Sequence, residues 1–198
     1  WGEGAALYPN KGVVENCTIT NCGRTAVSMT VIHSLYSKLT DVKVCGITTC
    51  KVIDSDYDTI RRCTFSNNQI NGTVAEFNQS YIANTLFSNN TGNVVVLYLN
   101  QCEVVNCDIV GNRSTSNYGL IDGWDNTIKN SIVWGNVPNR FNSNLIDSML
   151  FCAIEGGFAG EGNIRLESDN LGNNETLSYP YFVSPEDGDY RLALGSAC

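Results

Sequence analysis

Seven times along this chain an apolar residue is followed three positions later by a small one and, two further on, by a second apolar one. The figure appears at Val14/Cys17/Ile19, Leu39/Val42/Val44, Ile60/Cys63/Phe65, Ile82/Thr85/Phe87, Val104/Cys107/Ile109, Ile128/Ser131/Val133 and Met149/Cys152/Ile154. Its first members lie 25, 21, 22, 22, 24 and 21 residues apart. Self-similarity at such a period means that each unit is one supersecondary piece, unable to bury its own apolar face and obliged to stack on its neighbours. The last two members of each triplet alternate with polar residues, the period of a strand with one buried face. A second apolar block precedes each anchor: Leu7, Ile32, Ile53, Ala75, Leu97 and Ile121 seven positions upstream, and Ala6, Val31, Val52, Val74, Val96 and Leu120 eight upstream. Two strands per 21–25 residues, with no helix-period stretch, predict an all-β parallel solenoid of about seven coils. Coils about 4.8 Å apart would make a rod of roughly 30 Å.

The turns repeat as well. Eight residues after the anchors stand Cys22, Ile47, Asn68, Asn90, Asn112, Asn136 and Gly157, each preceded by Asn or Gly: Asn21, Gly46, Asn67, Asn89, Gly111, Gly135 and Gly156. Asn and Gly tolerate the left-handed backbone of tight turns. Asn side chains that recur on every coil can also stack and exchange amide hydrogen bonds between layers. That accounts for much of an unusual total of 25 Asn.

Composition narrows the class. Twelve Lys and Arg against 20 Asp and Glu leave a net charge of −8, without the basic stripe that a nucleic-acid binder needs. No run approaches the roughly 18 apolar residues of a membrane span, and no charged-then-apolar leader opens the chain. Nine cysteines are an odd number, so at least one thiol is unpaired or bonded outside this chain. Cys17, Cys63, Cys107 and Cys152 share one small inward position with Val42, Thr85 and Ser131, as expected of buried thiols. One or two disulfides among Cys22, Cys45, Cys50 and Cys102 are the alternative for an oxidising compartment.

Particular segments carry a resemblance. Cys63-Thr-Phe-Ser-Asn-Asn68 and Thr85-Leu-Phe-Ser-Asn-Asn90 resemble coils of right-handed parallel β-helix proteins, a group that includes polymorphic outer-membrane-type repeats and the pectate-lyase-like fold. Asn130-Ser-Ile-Val-Trp-Gly-Asn136, Ile154-Glu-Gly-Gly157, Gly160-Glu-Gly-Asn-Ile164, Tyr181-Phe-Val-Ser-Pro185, Gly188-Asp-Tyr-Arg-Leu192 and Gly195-Ser-Ala-Cys198 follow in an order similar to the C-terminal coils of bacterial cell-surface β-helix proteins with exchangeable anchors. The resemblance implies a right-handed β-helix over residues 1–157 and an irregular C-terminal cap over 158–198, with 165–179 as an insertion. It also implies a piece of a longer protein, secreted or displayed at the cell surface. The chain opens in mid-coil with a strand that lacks its partner, and Cys198 would have lost its own partner with the rest.

Six residues upstream of the anchors runs a column of chemically capable residues: Tyr8, His33, Asp54, Glu76, Tyr98 and Asp122. Equal offsets stack in a solenoid, so Asp54 and Glu76 would be neighbours at roughly 5 Å, the separation of the carboxylate pair in retaining glycosidases. His33, the chain's one histidine, would lie on the next coil. The same groups could hold a metal, or simply form the polar outer face that every water-facing strand needs. The resemblance brings a further check: pectin hydrolases of this fold carry Gly-His-Gly, whereas His33 lies between Ile and Ser. Its lyases place Arg near calcium-binding Asp, and Asp54-Ser-Asp56-Tyr-Asp58 with Arg61-Arg62 is the cluster of that kind. Tyr98 and Asp122 remain as ligand-binding candidates. No cofactor is implied.

Two further features stay open. The paired apolar columns at seven and eight upstream either leave one stripe outside, covered by another segment, or both turn inward at a corner. Six Asn-x-Ser/Thr sequons, at Asn16, Asn71, Asn78, Asn89, Asn112 and Asn174, matter only if the chain passes a eukaryotic secretory route. The functional expectation is a non-catalytic structural or adhesive module binding glycans or host and cell-surface proteins through its outer faces. A pectate-lyase-like lyase or hydrolase using Asp54, Glu76 and His33 is the second expectation, and a filament module self-associating through the solenoid ends is the third.

Overall fold

The computed structural model describes residues 6–22, 30–48, 51–116, 118–139, 141, 146–166, 180–196 and 198. Within them the repeat becomes stacked parallel strands. A seven-stranded sheet collects Val13–Glu15, Lys38–Thr40, Thr59–Arg61, Tyr81–Ala83, Glu103–Val105, Asn126–Lys129 and Ile146–Leu150, so about six turns separate its first strand from its last. Every anchor pairs with the next one in register, from Val14 with Leu39 to Ile128 with Met149. The second apolar members form an eight-stranded sheet, in which Ile19, Val44, Phe65, Phe87, Ile109, Val133 and Ile154 fall in one column. A five-stranded sheet joins Thr30–Leu35, Lys51–Asp56, Ala75–Asn78, Leu97–Asn100 and Ile121–Trp124. A short three-stranded sheet closes the coil at Gln69–Ile70, Thr91–Gly92 and Arg113–Ser114.

The paired apolar columns both turn inward. Val52 and Ile53, Val74 and Ala75, Val96 and Leu97, and Leu120 and Ile121 are all buried. Two successive inward residues break the strand period at this corner: along Lys51–Asp56, Lys51 is half-buried, Val52 and Ile53 are buried, and Asp54 is half-buried again. The interior they fill is aromatic at mid-rod, where Phe65 stacks on Phe87 at 5.3 Å and Phe77 meets Phe87 edge-on at 6.0 Å.

Each complete coil turns three corners through left-handed residues set five apart, such as Tyr57, Arg62 and Asn67, or Gln79, Asn84 and Asn89. Only the third corner is always Asn or Gly: Asn21, Gly46, Asn67, Asn89, Gly111, Gly135 and Gly156 all have positive φ. A Cβ on Gly111 would lie 2.5 Å from the Asn89 side-chain oxygen on the coil before, so a larger residue there requires that amide to move. The residue after each corner points inward and is often a small donor. Ser80, Thr85 and Ser131 give their hydroxyl protons to the carbonyls two residues earlier, at 2.7–3.0 Å. Cys63, Cys102, Cys107 and Cys152 make the same bond through sulfur at 3.2–3.4 Å. The five-residue spacing of Cys17/Cys22 and Cys102/Cys107 is therefore the corner spacing.

Cys22, Cys45 and Cys102 are free thiols, as are the other described cysteines, so the disulfide alternative does not hold among them; Cys50 lies outside the described residues. Burial pushes the Cys107 thiol up to about 12, which keeps it protonated and unreactive. The third inward column is the amide ladder. Asn68 Nδ2 donates to Asn90 Oδ1 at 2.8 Å, Asn90 Nδ2 to Asn112 Oδ1 at 2.9 Å, and Asn112 Nδ2 to Asn136 Oδ1 at 3.1 Å.

The stretch expected as a cap divides in two. Ile164–Leu166 pairs in parallel with Ala153–Glu155 and is the last of the eight strands of that sheet. Phe182–Ser184 and Asp189–Leu192 form an antiparallel hairpin around a single 3-10 turn. Tyr190 reaches back to the solenoid, accepting a hydrogen bond from Asn89 Nδ2 at 3.0 Å. Most of the expected insertion, 167–179, lies outside the described residues.

Candidate ligand groove on the five-stranded sheet

The column found by equal offsets is present. His33, Asp54, Glu76, Tyr98 and Asp122 occupy successive strands of the five-stranded sheet in register. The Tyr8 ring stacks on His33 at 4.8 Å between centroids. What the sequence reading missed is Lys51. Its Nζ lies 3.1 Å from Asp54 Oδ2 and 2.6 Å from Glu76 Oε2, bridging the two acids. Burial would depress the Lys51 ammonium, but the Glu76 hydrogen bond and the charges of both acids outweigh it and raise its pKa. Lys51 therefore stays charged at neutral pH.

Lys51 changes the chemistry available to the acid pair. A retaining carboxylate pair needs one acid able to hold a proton and one free to attack; here a single ammonium is hydrogen-bonded to both. His33 Nδ1 stands 4.0 Å from Asp54 Oδ2, beyond hydrogen-bond range. The calcium candidates do not converge either. No three of the described His, Cys, Asp and Glu residues form a group able to hold a metal. Asp58 is buried between coils, where its carboxylate accepts from the Ser37 N–H and from Ser55 Oγ, both at 2.6 Å. Burial raises its pKa against those bonds, which makes Asp58 a clamp between layers. Asp56 ends the same strand, half-buried. Of the two arginines in that cluster, Arg62 is committed to Asp41 through two bonds at 2.8 and 2.9 Å, and Arg61 lies over the Tyr81 ring.

Further along the column the face becomes concave. Glu76, Tyr98 and Asp122 form one wall of a groove of about 340 Å³, completed by Thr73, Val94, Val95 and Tyr118. Tyr98 is held edge-on by Trp124, 6.1 Å between centroids. Asp122 Oδ1 accepts the Gly123 N–H at 2.8 Å. Gly123 has φ +131, and a Cβ there would fall 1.5 Å from the Leu99 carbonyl oxygen, so the strand carrying Asp122 seats against Leu99 only with glycine. The groove thus combines two carboxylates, two tyrosines and two valines, the usual mixture of a small-ligand site.

A second groove, about 350 Å³, lies by the three-stranded sheet, with Thr48, Gln69, Asn71, Thr91, Asn93 and Thr115 in its lining, none of them charged. The sequons fare unevenly. Asn112 is buried in the ladder, Asn89 is bonded to Tyr190, Asn71 accepts from Asn93 in an exposed turn, and Asn174 lies outside the described residues.

Parallel sheets wound into one column, closed by repeated left-handed corners, define a β-solenoid. The model of the right handed beta helix region matches residues 1–146, and the chain belongs to that family. No curated protein matches it. Among solved structures it is similar to QnrB1, a plasmid-mediated fluoroquinolone resistance protein. A trypsin-treated form aligns at 13% identity and a TM-score of 0.30 over 85% of this chain and 92% of that one. The full-length form aligns at 11% and 0.22 over 85% and 94%. HetL, a pentapeptide repeat protein involved in heterocyst differentiation regulation from Nostoc sp. strain PCC 7120, aligns at 8% and 0.15 over 77% and 84%. At these identities and scores the likenesses carry no argument about what this chain does.

The functional expectation is corrected to what the comparisons do show, the β-helix fold; none of the solved chains named is an adhesive module, a polysaccharide lyase or hydrolase, or a filament unit. The Lys51 bridge gives the physical reason for setting the enzyme reading aside. What stands is the β-helix itself. Among the described residues no helix is long and apolar enough to cross a membrane.

Proposed function

We propose that this chain is a recognition module that binds an organic cation, an amine or a guanidinium, in the groove of Glu76, Tyr98 and Asp122. The observation that carries the reading is the pairing of two carboxylates in strand register on either side of a tyrosine, with Tyr118 in the lining of the same groove of about 340 Å³. A cation over an aromatic face gains about 0.5–2 kcal/mol, and nearby carboxylates add a charge-assisted hydrogen bond. A net charge of −8 favours the approach of such a ligand over that of an anion. Lys51 offers an internal precedent, since the same column already holds one ammonium between two of its acids.

Calorimetric titration of the whole chain with heptylamine, tetramethylammonium, maltose and glutarate tests the proposal. The expected result is binding of the cations alone, weakened by salt, and reduced at least tenfold in Tyr98→Ala and Asp122→Asn. Binding of maltose or glutarate in preference, or of none of the four, overturns it.

A further inference from the structure

We infer that Asn71 is a self-modifying site, at which the side chain cyclises onto the Gly72 nitrogen, assisted by Asn93, and ends as aspartate and isoaspartate. Of the 25 Asn in the chain, Asn71 alone is followed by glycine. It stands exposed just after the strand Gln69–Ile70, and its Oδ1 accepts a hydrogen bond from Nδ2 of the exposed Asn93 on the next coil. Gly72 has φ +151, with nothing within 4 Å of where a Cβ would stand, so no side chain restricts its backbone. The attacking atom in such a cyclisation is the backbone nitrogen after the asparagine, which must first give up its proton. Elsewhere in the coils that N–H is engaged. After Asn67, Asn89 and Asn106 it donates to Asn90 Oδ1, Asn112 Oδ1 and Ser131 Oγ. After Asn68, Asn90 and Asn112 it donates to the carbonyls of Ile47, Asn68 and Asn90. The Gly72 N–H has no such acceptor among the described residues.

The reaction needs only water. The Gly72 nitrogen, deprotonated by hydroxide, attacks Asn71 Cγ and a new N–Cγ bond forms. Charge develops on Oδ1 as it does so, and the Asn93 Nδ2 donor is already placed on that oxygen to stabilise it. The Cγ–Nδ2 bond then breaks, and the amide nitrogen takes a proton from water and leaves as ammonia. Water next opens the cyclic imide. Cleavage of the N–Cγ bond gives an aspartate at position 71. Cleavage at the other carbonyl gives isoaspartate, whose main chain runs through one extra carbon. One water is consumed overall, ammonia is released and nothing is oxidised or reduced. The product places a carboxylate in the second groove, where Thr48, Gln69, Thr91, Asn93 and Thr115 bring no charge.

The experiment incubates the whole chain in mildly alkaline buffer and follows each asparagine by peptide mapping and mass spectrometry, where loss of the amide adds about 1 Da. The Asn71 peptide is expected to convert at least tenfold faster than the peptides carrying Asn67, Asn89 and Asn106, to a mixture of aspartate and isoaspartate with release of ammonia. In urea, which frees the bonded N–H groups, that margin is expected to narrow. Asn71→Gln is expected to abolish the early ammonia. Asn93→Leu, at an exposed position, is expected to slow conversion at Asn71 at least threefold without moving the circular-dichroism melt. An unchanged rate in Asn93→Leu overturns the part given to Asn93. An Asn71 peptide that stays intact, or that converts no faster than the others, overturns the site itself.

Discussion

The interior amide ladder and the outer acid column are built by the same operation, yet they end differently. Both repeat one offset from coil to coil, and both bring side chains to strand spacing. Inside, the repeated residue is the same each time. Asn68, Asn90, Asn112 and Asn136 have one donor and one acceptor end apiece, so each satisfies the next, and the spare amide protons go to carbonyls such as Phe65 and Phe87 at 2.8 Å. Outside, the residues change from coil to coil: His, Asp, Glu, Tyr, Asp. Two adjacent carboxylates cannot satisfy each other, since both only accept when ionised, and Lys51 is brought in to hold them. A repeat that matches itself satisfies itself, and one that does not takes a partner from outside its own column.

The ladder is the place where that contrast should be costliest to break. Asn90→Ala deletes an acceptor used by both the Asn68 backbone N–H and its side chain, and leaves the Phe65 carbonyl without its amide donor. Orphaned buried groups cost about 1–3 kcal/mol each, so a loss of about 3–5 kcal/mol is expected in urea denaturation. A loss under about 1 kcal/mol would show that the ladder decorates the corner without holding it.

A smaller effect is expected at Asp108, an outward acid on the eight-stranded sheet between Leu86 and Ile132. Burial alone raises its pKa to about 6 from 3.8. The folded state then holds the proton more tightly than the unfolded chain, so stability is highest in acid and falls as pH rises from about 4 to about 6. Above pH 6 the penalty is complete, at most about 3 kcal/mol. Asp108→Asn is expected to raise the melting temperature at pH 8 and to leave it nearly unchanged at pH 4. An equal rise at both values would assign the effect to packing and not to charge.

The smallest change in stability is expected at the outer column itself. Lys51 bridges acids that are partly exposed, and such pairs contribute about 0–1 kcal/mol. Lys51→Met should therefore melt within a few degrees of the wild type. A collapse of the fold in that variant would make the column structural, as the ladder is.

Much of this was legible in the sequence. The anchors, their register, the left-handed third corner and the Asn stack follow from offsets that repeat, because a solenoid converts sequence period into spatial columns. The column of His33, Asp54, Glu76, Tyr98 and Asp122 was legible for the same reason. Lys51 was not. In an ordinary strand residues 51 and 54 face opposite ways, and only the doubled inward turn at Val52 and Ile53 returns them to one face. The first corner of each coil was hidden too. It uses residues as varied as Lys11, Tyr36, Tyr57 and Gln79 at positive φ, where composition gives no hint and stacking between coils contributes, as between Tyr36 and Tyr57 at 4.6 Å. Tyr118 closes the groove from a loop outside the repeat, so no offset pointed to it.

The most direct test of the groove is a titration of the whole chain with heptylamine at low and high salt, followed through the side chains of Tyr98 and Tyr118 by NMR. The expected result is saturable binding that shifts both tyrosines and weakens as salt rises. Shifts confined to other residues, or no saturation, would contradict the assignment of this face as a cation site.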